Sequence, residues 1–375
     1  MHTHLTKFLE HNKILFESQY GFRALHSCEH ALLEAQNKLT MALDKKQIAL
    51  LLLIDFSKAF DMVDHGILLN KLEHYGVRGK NLTWFKSYLT NRVQYVHVNN
   101  IDSTKRNLKY SVPQGSILGP VLFILYINDL PGINKIAKFV FFADDANIII
   151  TGYSFSEVQT IVETVLEALD KWVVLNGLKL NIKKTKYMVF SNCRDRNDLC
   201  ISLNGVPIER SDSERFLGVI VESNLNWKTH ISNLAAKISR NAGILYKLKG
   251  LVPNKVLRLV YNSLIQSHLN YCSNIWGLGA ESSLNSIFIS QKKAIRAVEN
   301  GFNNCFYNKD TGELPCHTKP IFARNHFLTI YNIVAKNCLT AMHKVYLDIS
   351  PVNVQKLFNI NRDPVHNSRH DPEFF

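Results

Sequence analysis

Long apolar runs are what this sequence most plainly lacks. Its longest, Ile48–Ile54 and Val121–Ile127, fall far short of the roughly 20 residues that a membrane-spanning helix needs, so no membrane span is expected. Cysteine is sparse, odd in number and scattered: Cys28, Cys193, Cys200, Cys272, Cys305, Cys316 and Cys338. Without a signal peptide ahead of them they read as reduced thiols of an intracellular protein, nuclear or cytoplasmic. Neither His26, Cys28 and His30 nor Cys305, Cys316 and His317 has paired-ligand spacing, which argues against structural zinc. Acidic residues are also in short supply, 31 against 44 Lys plus Arg, and the formal net charge of +13 favours polyanionic partners. With 46% hydrophobic residues over 375 positions, the chain can bury a core of about two or three cooperating subdomains.

Against that basic background one acidic pair stands out. Val140–Phe142 and Ala146–Ile150 are strand-like runs flanking Asp144-Asp145, which predicts a hairpin with carboxylates at its tip. Adjacent carboxylates repel and raise each other's pKa unless a divalent cation or a base compensates, so the tip suits Mg²⁺. Alone, such a pair is more often an ordinary turn. A second acidic strand end adds weight: Ile48–Ile54 reads as a fully buried strand ending in Asp55. Two strands delivering three carboxylates to one place suit two-metal phosphoryl transfer, with ions roughly 3.5–4 Å apart.

These segments resemble the palm of reverse transcriptases from non-LTR retrotransposons, the jockey-like LINE group in particular. The resemblance runs through Gln19-Tyr20-Gly21-Phe22-Arg23, Asp55-Phe56-Ser57-Lys58-Ala59-Phe60-Asp61, Ser87–Arg92, Val112–Pro120, Tyr126–Leu130 and Phe142–Asp145. It continues through Leu180–Thr185 and Phe216–Val219, in the family's order. It implies an α+β, right-hand polymerase fold of fingers, palm and thumb, with an antiparallel palm sheet packed on helices and a helical thumb. The expected division is partial fingers over 1–47, palm over 48–225 with inserted fingers elements at about 66–110, helical thumb over 226–300, and a helical extension and tail over 301–375. The implied activity is RNA-directed DNA polymerase, extending a DNA 3′-hydroxyl on an RNA template with deoxynucleoside triphosphates and two Mg²⁺, for which Mn²⁺ can substitute.

By the same resemblance Asp55 and Asp144 are direct metal ligands, the Phe56 carbonyl adds an oxygen, and Asp145 completes the charge. Phe60 stands at the gate that excludes a 2′-hydroxyl, though on its own it would read as a core aromatic. Gln114 and Gly115 line the nucleotide pocket. Lys184 is the general acid for the leaving pyrophosphate, with Lys183 and Lys186 easily mistaken for it. Leu217 and Gly218 hold the primer terminus, glycine permitting close approach of a backbone. Arg23, Lys237, Arg240 and Lys247 are candidate nucleic-acid contacts. Relatives carry an upstream fingers segment that grips the triphosphate; it is expected to be missing here, leaving that grip to Gln114, metal and backbone. Endonuclease activity is expected to come from elsewhere. The alternative is a remnant that binds RNA or RNA–DNA hybrid without turnover. An RNA-dependent RNA polymerase is disfavoured by Phe60 and by alanine before the Asp pair.

Periodicity predicts helices over Glu29–Leu43, Ile67–Tyr75, Leu82–Leu89 and Val121–Ile127, the last capped by Gly119 with Pro120 at its first position. A long amphipathic helix is expected over Glu157–Val174, with Ser156 and Gln159 as a capping box and Asn176-Gly177 as its stop. From 228 to 300, basic residues alternate with Ile231, Leu234, Ile238, Ile244, Leu245, Leu257, Val260, Tyr261, Leu264 and Ile265 at helical spacing. A loop is expected around Asn303-Asn304 and Thr311–Glu313, and a helix over Phe322–Tyr346. The polar tail 361–375 has no packing pattern.

Overall fold

A computed structural model describes residues 1–192, 199–298 and 318–358. Strand Ile48–Ile54 lies at the centre of a five-stranded sheet, paired antiparallel with Asp145–Gly152 on one side and Lys186–Phe190 on the other. Lys138–Phe142 extends the sheet as a hairpin with Asp145–Gly152, while the short Glu209–Arg210 adds a parallel edge beside Lys186–Phe190. The central run is apolar without alternation because both of its faces are covered. Leu50, Leu52 and Ile54 enter one core with Phe139, Phe141, Ile148 and Ile150. Ala49 and Leu51 enter the other with Val140, Ile149, Met188 and Phe190.

Helices close both faces. The first core is sealed by Gly119–Tyr126, buried on every side, and by Phe155–Leu175, which contributes Val158, Val162, Val165, Leu166, Leu169, Trp172 and Val173. The second is sealed by Cys28–Asp44 and by the helices after residue 227. There, Lys228–Leu248 packs along Glu281–Val298, burying Ile231, Leu234, Ile238 and Leu245 against Leu284, Ile287, Ala294 and Ile295. Ile244 departs from the expected buried face and is 44% exposed. The stretch between these helices is broken into short helical pieces, Asn254–Tyr261, Asn262–Gln266, Ser267–Asn270 and Ser273–Trp276.

Expected helix ends shift where nearby polar residues compete for the cap. Cys28–Asp44 begins after Ser27, whose hydroxyl accepts from the His30 N–H. His65–His74 begins after Asp64, which accepts from the Ile67 N–H, and Gly79–Leu89 starts earlier than its apolar pattern suggests. Gly119 is not the cap but the first helical residue, after Leu118, which puts Pro120 second; a Cβ at 119 would lie 3.0 Å from the Pro113 carbonyl oxygen, which favours glycine there. The long helix is capped by Ser154 rather than Ser156: Ser154 Oγ accepts from the Glu157 N–H at 3.1 Å, and Glu157 Oε2 accepts from the Tyr153 N–H at 2.7 Å. Its stop is as expected, with Asn176 as C-cap and Gly177 at φ +62°.

Between helix Gly79–Leu89 and Pro113 the chain makes an exposed ribbon of two short antiparallel ladders, Val93–Gln94 with Arg106–Asn107 and His97–Val98 with Ile101–Asp102. The expected helix over Phe322–Tyr346 is two helices, Lys319–Arg324 and Ile330–Tyr346, separated where His326 adopts φ +54°. The chain then returns to its own N-terminal segment, with Asn353 Nδ2 donating to Ser18 Oγ at 2.8 Å and Lys356 paired with Glu17 at 3.3 Å. The loop expected around 303–313 and the tail 361–375 lie outside the described residues.

The cap assignment is directly testable. Ser154→Ala should cost about 1 kcal/mol of unfolding free energy in urea, the usual value of a helix N-cap, whereas Ser156→Ala should cost under about 0.5 kcal/mol.

Candidate active site

Register places the key carboxylates. The last pair between the two inner strands is Ile54↔Ala146, so the next residue on one strand is Asp55 and the preceding residue on the other is Asp145. Side chains alternate along a strand, so both share the face of Leu53 and Asn147 at the end of the sheet. Asp55 is pinned from a third segment: its carbonyl accepts from the Asn181 N–H at 2.8 Å, and its N–H donates to Thr185 Oγ1 at 3.3 Å. Phe56 forms an isolated bridge with Leu180 whose hydrogen bonds come from the flanking residues, so its own carbonyl is not consumed by that ladder.

The hairpin turns through Ala143 and Asp144, with Ala143 at φ +57° and Asp144 exposed at the tip. Asp145 is likewise reached by solvent, but partial desolvation in the cleft pushes its pKa up to about 6, and the negative charges of Asp144 and Asp55 add to the rise. Because the folded value is raised, deprotonation of Asp145 weakens the fold as pH climbs from about 4 through 6, and protonation relieves it below. Among the described residues no group of three or more His, Cys, Asp or Glu side chains stands as a closed metal cage. Asp55 and Asp145 line one cleft, and Asp144 beside them acts electrostatically on Asp145. The donors are nonetheless hard oxygens, and the repulsion that raises Asp145 is what a divalent cation offsets, so these residues fit such an ion.

A cleft of about 220 Å³ opens on this face, lined by Asp55, Asp145, Lys184, Lys186, Glu214 and Leu217 among others. The three lysines separate clearly. Lys186 is engaged, 2.9 Å from Glu214 and 3.7 Å from Glu209, and these partners raise its pKa. Lys183 is exposed and does not line the cleft. Lys184 lines it and has no carboxylate partner among the described residues. Across from it, strands Ser213–Phe216 and Val219–Glu222 meet in a tight turn of Leu217 at φ +47° and Gly218 at φ +81°. Tyr271, which the sequence did not single out, donates its hydroxyl to the Leu217 carbonyl at 2.7 Å and lies under Gly218, 3.3 Å from where a Cβ would sit.

Other expected residues lie outside this cleft. Phe60 is half-buried, stacked on Phe123 with ring centroids 4.4 Å apart and edge-on to Phe22 at 6.4 Å. Gln114 Nε2 donates to Asp61 Oδ1 at 2.9 Å, a pairing the motif did not reveal, and Gly115 follows at φ +78° with open space around it. Lys237, Arg240 and Lys247 are exposed on the outer face of helix Lys228–Leu248. Arg23 is a correction. Its guanidinium is committed to Glu10 at 2.7 and 2.8 Å and to the Phe16 and Gln19 carbonyls, with only 10% of the side chain exposed. It therefore clamps the N-terminal segment instead of facing solvent for nucleic acid.

The family profile described as reverse transcriptase (RNA-dependent DNA polymerase) matches residues 1–221, and the chain belongs to that family. It is 27% identical over 304 residues to the RNA-directed DNA polymerase from mobile element jockey of Drosophila melanogaster, covering 76% of this chain and 32% of the relative. It is 28% identical over 311 residues to the probable RNA-directed DNA polymerase from transposon BS of the same species, covering 78% and 34%. The chain thus spans about a third of the length of these relatives. Among solved structures it is similar to telomerase from Candida albicans in complex with a fragment of telomeric RNA, at 15% identity and TM-score 0.45, over 88% of this chain and 58% of that one. It is also similar to apo telomerase from Candida tropicalis, at 10% identity and TM-score 0.46, over 95% and 56%. No helix among the described residues is long and apolar enough to cross a membrane.

The electrostatics give a metal-free prediction. Carboxyl carbon-13 NMR should show Asp145 titrating near pH 6. Asp55→Asn or Asp144→Asn should each lower that midpoint without restoring an ordinary carboxylate value, since burial is the larger cause.

Proposed function

We propose that this chain is the polymerase core of a jockey-like non-LTR retrotransposon reverse transcriptase, adding deoxynucleotides to a DNA 3′-hydroxyl on an RNA template. One observation carries the reading: Asp55, Asp145, Lys184 and Leu217 come from separate segments of the chain and line one cleft. Such a gathering of two carboxylates, a lysine with no carboxylate partner among the described residues and a tight backbone turn suits nucleotidyl transfer.

Asp55, Asp144, Asp145 and the Phe56 carbonyl are the groups that would hold Mg²⁺, or Mn²⁺ in its place. Two such ions, when bound, supply activation of a hydroxyl and neutralisation of phosphate charge. The chain's own residues do the rest. Lys184 offers a proton to the departing pyrophosphate from the far side of the cleft. The Leu217-Gly218 turn, steadied by Tyr271, supports the primer end. Phe60, backed by Phe123 and therefore unable to retreat, presents the ring edge that a 2′-hydroxyl would meet. Gln114, which donates to Asp61, and Gly115 are the residues that would meet the base or sugar of the incoming nucleotide. The helix Lys228–Leu248 presents Lys237, Arg240 and Lys247 on its outer face, suited to duplex phosphates. In this division, 1–47 belongs to the fingers, 48–225 to the palm with its inserted fingers elements, 226–300 to the thumb and 301–375 to an extension.

Template-dependent incorporation of labelled deoxynucleotides tests the reading. Asp55→Asn and Asp145→Asn should each reduce it by roughly a hundredfold or more, the scale of removing a preorganised electrostatic group, with hybrid binding preserved. Hybrid binding by the unaltered chain with no incorporation at any Mg²⁺ concentration would contradict it. Replacing Lys237, Arg240 and Lys247 by Gln should flatten the salt dependence of duplex binding by about 0.9 for each phosphate no longer neutralised, whatever the duplex sequence.

A further inference from the structure

The motif Gln19-Tyr20-Gly21 has no role in the chemistry above, yet it touches the acidic turn. Ser18–Tyr20 runs beside strand Lys138–Phe142 as an added edge: the Phe141 N–H donates to the Ser18 carbonyl at 2.9 Å, and the Tyr20 N–H to the Phe141 carbonyl at 2.8 Å. The added edge is itself fixed. Ser18 Oγ and the Tyr20 hydroxyl both donate to Glu34, a buried carboxylate of helix Cys28–Asp44 that Lys38 also pairs at 2.5 Å.

From this anchored segment the Gln19 side chain, 2% exposed, reaches the turn. Its Oε1 accepts from the Ala143 N–H at 3.2 Å and from the Gly21 N–H at 2.8 Å. Ala143 is buried and sits at φ +57°, a region that alanine seldom occupies and that hairpin turns usually give to Gly or Asn. The turn conformation is therefore imposed from outside the turn. Gly21 completes the imposition, since a Cβ there would lie 2.2 Å from the Ala143 nitrogen and 2.9 Å from its Cα. No other residue lets the segment come so close.

The choice of amide carries information as well. Gln19 Nε2 is buried with no hydrogen-bond partner among the described residues, and a carboxylate here would instead leave a charged oxygen buried and unpaired, at greater cost. A carboxylate would supply the same acceptor but add a negative charge next to the Asp144-Asp145 turn. Glutamine is the neutral group that grips the turn without adding that charge.

We propose that Gln19 is a positioning residue: acting through Ala143, it fixes the turn so that Asp144 and Asp145 present their carboxylates to divalent cations. The proposal rests on the polymerase reading above and adds a residue to it. Loss of a group that orients metal ligands typically lowers metal affinity by about 10- to 100-fold.

The test compares Gln19→Met, close in shape but lacking the acceptor, with Gln19→Glu, which keeps it. Hydrogen exchange at residues 143–145 reports the clamp, and EPR titration with Mn²⁺ reports its consequence. Gln19→Met should speed exchange at Ala143 and weaken Mn²⁺ binding about tenfold or more, with hybrid affinity and KM within about twofold and kcat reduced in step. Gln19→Glu, measured at a pH low enough to keep this buried carboxyl neutral, should keep the protection, which also decides the matter if Gln19→Met does not fold. Unchanged exchange in Gln19→Met, faster exchange with unchanged Mn²⁺ affinity, or absence of protection in Gln19→Glu would each overturn the proposal. A wild-type chain that binds no Mn²⁺ would overturn the metal reading itself and the positioning role with it, an outcome distinct from any of the variant results.

Discussion

The structure depends on a sheet buried on both faces whose central strand, Ile48–Ile54, carries no charge until Asp55 follows it at the end. Apolar pairing along Ile48–Ile54 fixes the register with Asp145–Gly152 through its whole length, because a slip of one residue would exchange the two cores. Fixed register, in turn, leaves Asp55 and Asp145 no choice but to adjoin where the apolar run stops. Packing therefore holds like charges near one another at this end, and the pKa of Asp145 is raised by desolvation first and by the charges of Asp144 and Asp55 after it.

Around that end, hydrogen bonds to main-chain atoms tie separate segments together, beside the ion pairs of Lys186 with Glu214 and Glu209. Asn181 and Thr185 hold the Asp55 backbone, Gln19 holds the Ala143 N–H, and Tyr271 holds the Leu217 carbonyl. Each tie fixes a main-chain atom in or next to the cleft or its acidic turn without using the side chains of Asp55, Asp144, Asp145 or Lys184. The arrangement separates two tasks, since the ties resist thermal displacement and the free carboxylates and Lys184 remain available to ligands.

Much of this was legible from the sequence because the signals are local. The central strand, the acidic hairpin and helices such as Cys28–Asp44 and Phe155–Leu175 follow from apolar runs and 3.6-residue spacing. Ordered motifs pointed to Asp55, Asp145, Lys184 and Leu217 together, and the structure brings them to one cleft. What escaped was set by partners distant in the chain. Arg23 looks like a free cation until Glu10 is seen folded against it, and nothing in the residues near Leu217 points to Tyr271. Ser154 and Ser156 satisfy similar capping patterns, and only the observed hydrogen bonds decide between them. Ile244 fits the helical stripe yet lies just beyond the edge that Glu281–Val298 covers.

Crystals of the chain grown with an RNA–DNA hybrid and Mn²⁺, with data collected for anomalous scattering, test the central claim most directly. The account predicts two peaks roughly 3.5–4 Å apart, between Asp55 on one side and Asp144 and Asp145 on the other. Anomalous density absent from these carboxylates, with Mn²⁺ bound elsewhere on the protein, would contradict it.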